Sequence, residues 1–542
     1  MSVRDLANCI DSAITQIVLL GVEAKKENLS TIIPKKLLDL HQTCRFHIHD
    51  MEFYDSAYNC IGLRPSQLIK EKPLSFSAAC RELFRGIIAL TNQQSGGIGL
   101  IDFDEDMSQF IKQETNEELE NELYELFMDL NTYVRKGSEK AYVTFNFGLS
   151  TSKEGRQIIK SILNAFSKKQ FIFPNLVWKV KTGVNRYKTD PNYDLFLLSC
   201  DVTSECMNPT YFNTDASFNK NINASEIGIM GCRTRVVANH FGTSSSLNRG
   251  NIAAITINLV QIAFEAKGSQ DTFNNLLRET TDNAAELLLH RFKMLIKNGD
   301  FQHLKENNLY IGSELNDSEK MLKNGTLSIG FIGLWDSLAI IYGVKEWTIE
   351  KLDFYYPKAL EIIQNMRYHI DDYAKKTNLN FSLLASSAEG VSGRFPKYDE
   401  KCYNSNSHIF DKGHYTNSFH IPVQTNLSCF KKLDLEGPFH KLCNGGHISY
   451  IELSEIPFGN KEAILDLVNY ACDSDVGYFG VNFPLDICKD CGKKGNFEEN
   501  CICGSSNILR LRRVSGYLSD VNTFTVGKFN ELQLRSAHVS KI

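Results

Sequence analysis

Four cysteines fall within sixteen positions near the end of the chain, as Cys488-x-x-Cys491 and Cys501-x-Cys503. After about residue 480 Cys, Gly, Lys and Asn crowd together and helical periodicity vanishes. Such a stretch has almost no apolar core of its own and has to be stapled. Closely spaced cysteines can turn two sulfurs toward one ion, and two such knuckles make the tetrahedral sulfur cage that zinc prefers. Gly492 and Gly504 follow the second cysteine of each pair, where a turn around a metal benefits from residues free to take positive φ. A saturated cage leaves no open coordination position, so this metal would hold shape and supply much of the folding energy. The second pair is one residue shorter than the usual knuckle, which leaves open whether Cys501 and Cys503 are both ligands. An iron–sulfur cluster is the main rival, a disulfide the lesser one.

Ahead of this tail the chain is an ordinary globular sequence. Its 542 residues exceed one ordinary domain, though one large barrel with a small appendage also fits. With 42% apolar and 23% charged residues it has the composition of a soluble protein. A formal charge of −5 gives no polycationic face, which argues against a nucleic-acid polymer as partner while leaving small phosphorylated ligands open. The N-terminus lacks the pattern of a signal peptide, and the early apolar run 17–22 is too short to span a membrane. A cytoplasmic location is the expectation. In a reducing compartment the 15 cysteines would be thiols or metal ligands. Lone ones such as Cys80, on an apolar helix face, read as core.

Periodicity predicts helices over 1–45, over 74–92 stopping at Gln93–Gly97, and over 272–297 ending at Asn298-Gly299. Leu119, Leu123, Phe127, Leu130 and Val134 mark a further helix with an acidic, solvated outer face. The runs 142–147, 227–230 and 251–258 read as strands. This alternation predicts an α/β fold whose length suits a large barrel, over residues 1–480, followed by a small module over 481–542.

Just beyond the cysteines stands Arg512-Arg513-Val514-Ser515-Gly516-Tyr517-Leu518. Most glycines serve turns. A glycine α-carbon can also lose a hydrogen to leave a radical shared with both neighbouring amides, with no side chain forcing it out of plane. Such a radical lasts only away from oxygen and solvent.

These pieces, in this order, resemble the tail of the anaerobic (class III) ribonucleotide reductases, a glycyl radical enzyme family. Members commonly carry a four-cysteine zinc site, R-R-V-x-G-Y-L, a stretch like Phe524–Lys528 and a basic terminal helix. Ser515 stands where relatives often have Cys or Thr. The resemblance covers most of the chain. FHIHDMEFYDSAYNC at Phe46–Cys60 looks like the family's "IHD…NC" segment, and Pro73–Gly97 like its following helix and turn. Met230-Gly231-Cys232-Arg233-Thr234 is similar to the M-G-C-R finger loop, and Arg249–Asn251 with Thr256–Leu259 to the returning strand. Asn380–Leu383 through Glu389 to Arg394-Phe395 resembles the phosphate-side loop.

The resemblance implies a ten-stranded α/β barrel of the glycyl-radical type, with a small C-terminal zinc-binding and glycyl-radical module, in a homodimer. It implies reduction of a ribonucleoside triphosphate to the 2′-deoxynucleotide for DNA synthesis. Gly516 would store the radical. Cys232 would take the 3′ hydrogen as a thiyl, because a 3′ radical weakens the neighbouring 2′ C–O bond. A lone cysteine is usually core; the flanking motif is what singles out Cys232. Cys60 would protonate the departing hydroxyl and return a hydrogen. Glu389 would accept at the 3′-hydroxyl, and Asn251 would contact substrate or reductant. Ser386 and Ser387 would bind substrate, although Ser-Ser-Ala-Glu-Gly departs from the family's usual Thr-Pro-Ser-Glu-Ser. In many relatives formate is the terminal reductant and in others a thioredoxin-like route; Cys60, Asn251 and Glu389 together lean toward formate and leave the other route open.

Implied partners are a radical-SAM activating protein with a [4Fe–4S] cluster and an allosteric nucleoside triphosphate. The "IHD" segment arrives by residue 48, so no N-terminal ATP-cone is expected. Two alternatives stay open. A pyruvate formate-lyase relative would share R-V-S-G-Y, though not normally the cysteine cluster or M-G-C-R-T. A zinc-tailed paralogue without catalysis would not need Cys60, Cys232 and Gly516 together.

Overall fold

A computed structural model describes residues 13–132, 140–403 and 407–538. Residues 1–12 of the expected first helix, Val134 and the last four residues lie outside them. The strands in chain order are β1 (Phe46–Ile48), β2 (Ile61–Leu63), β3 (Ile98–Leu100), β4 (Val143–Phe147) and β5 (Asn175–Val180). Next come β6 (Thr210–Asn213), β7 (Asn251–Asn258), β8 (Thr326–Ile332), β9 (Asn380–Ala385), β10 (Ser449–Glu452) and β11 (Tyr478–Asn482). The tail holds β12 (Leu485–Cys488), β13 (Lys494–Gly495), β14 (Ile508–Arg513) and β15 (Leu518–Asp520).

They form three sheets. One runs β10-β11-β6-β5-β4-β3-β2, with β2 through β6 parallel. A second runs β1-β7-β8-β9, with β7, β8 and β9 parallel. Helices cross between parallel strands, as that connection requires. β8 is buried along its whole length, although Thr326, Ser328 and Gly330 alternate with Leu327, Ile329 and Phe331. The tail forms its own antiparallel sheet, β13-β12-β14-β15.

The fold is mixed α/β with parallel sheets. Where a ten-stranded barrel was expected, the described residues form two open sheets of seven and four strands. Their edges meet through isolated pairs, Gly62 with Arg249 and Leu384 with Gly446, and no continuous ladder closes the ring.

The helices follow their sequence signals. Ser75 caps Phe76–Thr91 by accepting from the Ala78 amide, and Phe76, Ala79, Cys80, Leu83, Ile87 and Leu90 are buried at three-to-four spacing. Each large apolar side chain of that stripe contributes about 1.5–3 kcal/mol on burial. Thr115 and Glu118 make a capping box on Asn116–Leu130. The long helix is Gln270–Asn298, stopping at Gly299. The expected strand at 227–230 does not form. That segment has no ladder partner except at Met230, which bridges Thr234 four residues on. Among the described residues no helix is long and apolar enough to cross a membrane.

Candidate active site

The Met230–Thr234 bridge, closed by hydrogen bonds of 3.0 and 3.2 Å, makes a tight loop with Gly231, Cys232 and Arg233 at its tip. Buried Asn146 of β4 holds the loop's base: its Oδ1 accepts from the Ile229 amide at 2.7 Å and its Nδ2 donates to the Ile229 carbonyl at 2.9 Å. Thr144, also on β4, donates to the Gly231 carbonyl at 3.1 Å. Gly231 has φ +59° and faces Gly97 so closely that a methyl on Gly97 would lie 2.7 Å from the Gly231 α-carbon.

Gly516 meets this tip from the other side. A methyl built on it would lie 1.9 Å from the Cys232 carbonyl oxygen and 2.3 Å from the Cys232 α-carbon. The two segments therefore touch backbone to backbone, and no other residue type fits at 516. Several bonds seat the glycine loop. Arg513 donates to the Gly516 carbonyl at 3.1 Å and to Asn482 at 2.8 Å. Tyr450 donates to the Ser515 carbonyl and accepts from Arg233 at 3.2 Å. Tyr142 and Tyr517 stack edge to face at 5.3 Å over the junction, and burial raises the Tyr142 hydroxyl well above the ordinary phenol range. Val514, Ser515, Gly516 and Tyr517 are all buried.

A single cavity gathers Cys60, Cys232, Asn251, Ser386, Ser387 and Glu389. Cys60 is buried, its thiol donating to Asn59 Oδ1 at 2.6 Å and lying 4.0 Å from Thr234 Oγ1. The Cys232 thiol is 3.8 Å from Ser387 Oγ. Asn251 opens β7; its carbonyl accepts the Cys60 amide and its side chain donates to Thr326 Oγ1 at 3.1 Å. Ser386 is fully buried and pairs with Thr256 Oγ1 at 2.6 Å, so its hydroxyl already has a protein partner. Glu389 follows Ala388, a buried residue held at φ +54°. Its carboxylate oxygens accept from Ser515 Oγ and from Tyr517 Oη, the latter at 3.1 Å.

His47, His49, Asp50 and Arg394 also line this cavity, with no role assigned to them in the sequence. His49 bonds Thr256 at 2.7 Å and His47 bonds Arg394 at 2.6 Å. Burial lowers both imidazoles, which makes them neutral walls at pH 7. Asp50 accepts from Asn59 at 2.7 Å and from Ser95 at 3.0 Å, tying the Cys60 segment to the turn after Thr91. Asn146 and Tyr450 carried no local signal at all. Their partners lie 83 and 65 residues away.

In the tail, the sulfurs of Cys488, Cys491, Cys501 and Cys503 all lie within 4.8 Å of one another. Cys488–Cys503 and Cys491–Cys501 stand 3.6 Å apart, far beyond a disulfide bond. A tetrahedron with Zn–S of about 2.3 Å has edges of about 3.8 Å, so the donor set fits zinc, Cys501 and Cys503 included. Gly492 and Gly504 take φ +75° and +89°, the left-handed turns expected of them. Backbone amides at Cys491 and Asp490 lower the Cys488 thiol to about 6, favouring the thiolate that binds metal.

A family model described as anaerobic ribonucleoside-triphosphate reductase matches residues 6–538. The anaerobic ribonucleoside-triphosphate reductase of Escherichia coli K12 is 29% identical, with 96% of this chain and 81% of that protein covered. The reductase of bacteriophage T4 is also 29% identical, covering 97% and 95% respectively. Among solved structures, the Thermotoga maritima anaerobic ribonucleotide reductase in complex with dATP and CTP superposes with a TM-score of 0.71 at 17% identity. It covers 95% of this chain and 89% of its own.

Proposed function

Because the chain belongs to the anaerobic ribonucleoside-triphosphate reductase family, and so is an oxidoreductase, we propose that it works by a glycyl/thiyl mechanism centred on Gly516 and Cys232. The observation that carries this reading is the contact in which Gly516 admits no side-chain atom against Cys232. Hydrogen exchange between an α-carbon and a thiol needs that closeness.

A radical stored on Gly516 supplies one hydrogen-atom abstraction per cycle, and the chain's own groups do the rest. Cys232 takes the 3′ hydrogen of a ribonucleoside triphosphate and returns it at the end. Cys60, across the same cavity, gives its proton to the departing 2′-hydroxyl, which leaves as water, and relays to the 2′ carbon a hydrogen atom that originates on formate, a solvent proton restoring its thiol. Glu389 accepts from the 3′-hydroxyl, Asn251 orients substrate or reductant, and Ser387 with Ser386 lines the phosphate side. Formate is the reductant we assign: it gives up a hydrogen atom and an electron to the substrate and leaves as carbon dioxide. Zinc on Cys488, Cys491, Cys501 and Cys503 holds the 481–542 module that presents Gly516 to the catalytic body, 1–480, whose two sheets we read as the halves of the family's barrel. The further partners we assign are a radical-SAM activating protein, a second copy of the chain, and an allosteric nucleoside triphosphate, in keeping with the dATP and CTP of the Thermotoga complex. We place the enzyme in the cytoplasm. The match over residues 6–538 leaves the pyruvate formate-lyase alternative without support.

The test is electron paramagnetic resonance of the anaerobically activated enzyme. A glycine-centred doublet is expected in the wild type together with deoxynucleotide formation. Its absence there, or its persistence in Gly516→Ala, would sink the reading.

A further inference from the structure

The tail does more than bring Gly516 to Cys232. Four of its contacts converge on the five residues 389–393. Ser515 Oγ donates to one carboxylate oxygen of Glu389, and Tyr517 Oη donates to the other at 3.1 Å. Thr525 Oγ1 donates to the Glu389 carbonyl at 2.8 Å. Two residues on, Gly527 lies against Gly393 so tightly that a methyl on Gly527 would fall 2.5 Å from the Gly393 α-carbon. The Glu389 segment also carries a strained neighbour, since Ala388 sits in the left-handed region at φ +54°. That conformation costs an alanine roughly 1–2 kcal/mol and persists only where surroundings impose it. Ser515 and Tyr517, each 1% exposed, have the buried hydroxyls that supply the tail's half of the clamp.

We infer that Ser515 and Tyr517 are positioning residues that aim the Glu389 carboxylate, so that seating the glycine loop completes the substrate wall. The inference rests on the role proposed above for Glu389. An ionised carboxylate has about four lone-pair sites. Two bonds from the tail leave capacity for a substrate hydroxyl and fix where the remaining lone pairs point. A tail lifted away would leave Glu389 unaimed, so the acceptor for substrate and the store of the radical are assembled together or not at all. No redox step is added by this coupling.

The experiment uses the activated full-length enzyme and compares wild type, Ser515→Ala, Tyr517→Phe, Ser515→Thr and Glu389→Gln, with the Ser515→Ala/Glu389→Gln double variant. Hydrogen bonds to a charged acceptor support an expected fall of roughly tenfold to a hundredfold in kcat for Ser515→Ala and Tyr517→Phe. KM changes little, and the doublet keeps the wild-type amplitude within about twofold. Ser515→Thr, which keeps a hydroxyl, recovers most of the loss. With Glu389→Gln already present, Ser515→Ala costs little more, the non-additivity of two groups acting through one another. In the unactivated chain, amide hydrogen exchange over 513–525 quickens in Glu389→Gln, because the clamp works in both directions. Additive losses, unchanged turnover in Ser515→Ala and Tyr517→Phe, or unchanged exchange in Glu389→Gln would each overturn the inference. A wild type without doublet or product instead defeats the proposed function itself, which keeps the two failures distinguishable.

Discussion

At Ile229 the segment leading to Cys232 has no neighbouring strand, and the side-chain amide of Asn146 satisfies both its backbone amide and its carbonyl. One residue thereby sets the height of the finger tip relative to Gly516. Asn146→Ala leaves two buried backbone groups unpaired, at a cost of about 1–3 kcal/mol. Chemical denaturation should record that loss. The activated variant should turn over more slowly than its doublet amplitude predicts, because the tip is no longer held. Wild-type stability together with wild-type turnover would refute this role for Asn146.

The tail forms a sheet of its own, β13-β12-β14-β15. β12 and β14 pair along four residues beside the cysteine cage, and β14 runs directly into the glycine loop. Chelating the metal in the unactivated chain should raise amide exchange across β12–β15, expose four thiols to a thiol reagent and lower the doublet obtained on later activation. Full exchange protection after metal loss would show that the sheet does not depend on it. Much of this element was legible in the sequence, since cysteine spacing and glycine position are local. The same holds for β4 and β7, β-branched runs within or close to one residue of their expected bounds. The residues 227–230 were misleading because their apolar character reflects burial, Ile227 and Ile229 among Val177, Phe212, Val237 and Ile448 and Met230 against Cys60 and Val236, without ladder pairing. The Ser515–Glu389 bond joins residues 126 apart in the chain, and no spacing rule reaches that far.

Across the whole molecule the buried charges set an acid limit. Burial alone would raise Glu436, but Lys432 and His420 outweigh it and hold its carboxyl far below the ordinary range. Glu531 is held down likewise against burial by Lys528 and Arg535. A carboxylate with a depressed folded value contributes stability that is complete above its unfolded value, 4.5, and is lost as pH falls toward the folded one. Asp104 and Asp399 run the other way: burial raises them to about 6, so their contribution is largest below 3.8 and gone above 6. The midpoint of thermal unfolding should therefore drop once pH passes below 4.5, and less steeply in Glu436→Gln and Glu531→Gln. An unchanged acid slope in both variants would contradict the assignment.

Gly97, Gly231 and Gly516 converge where the first carbon of any side chain would strike a neighbour's main chain or the Tyr142 ring. The reactive centre is thus built at the one spacing polypeptides reach without side chains. A side chain at any of these three positions would have to push a neighbouring main chain or ring aside, so the proposed hydrogen transfer rests on what the chain lacks there.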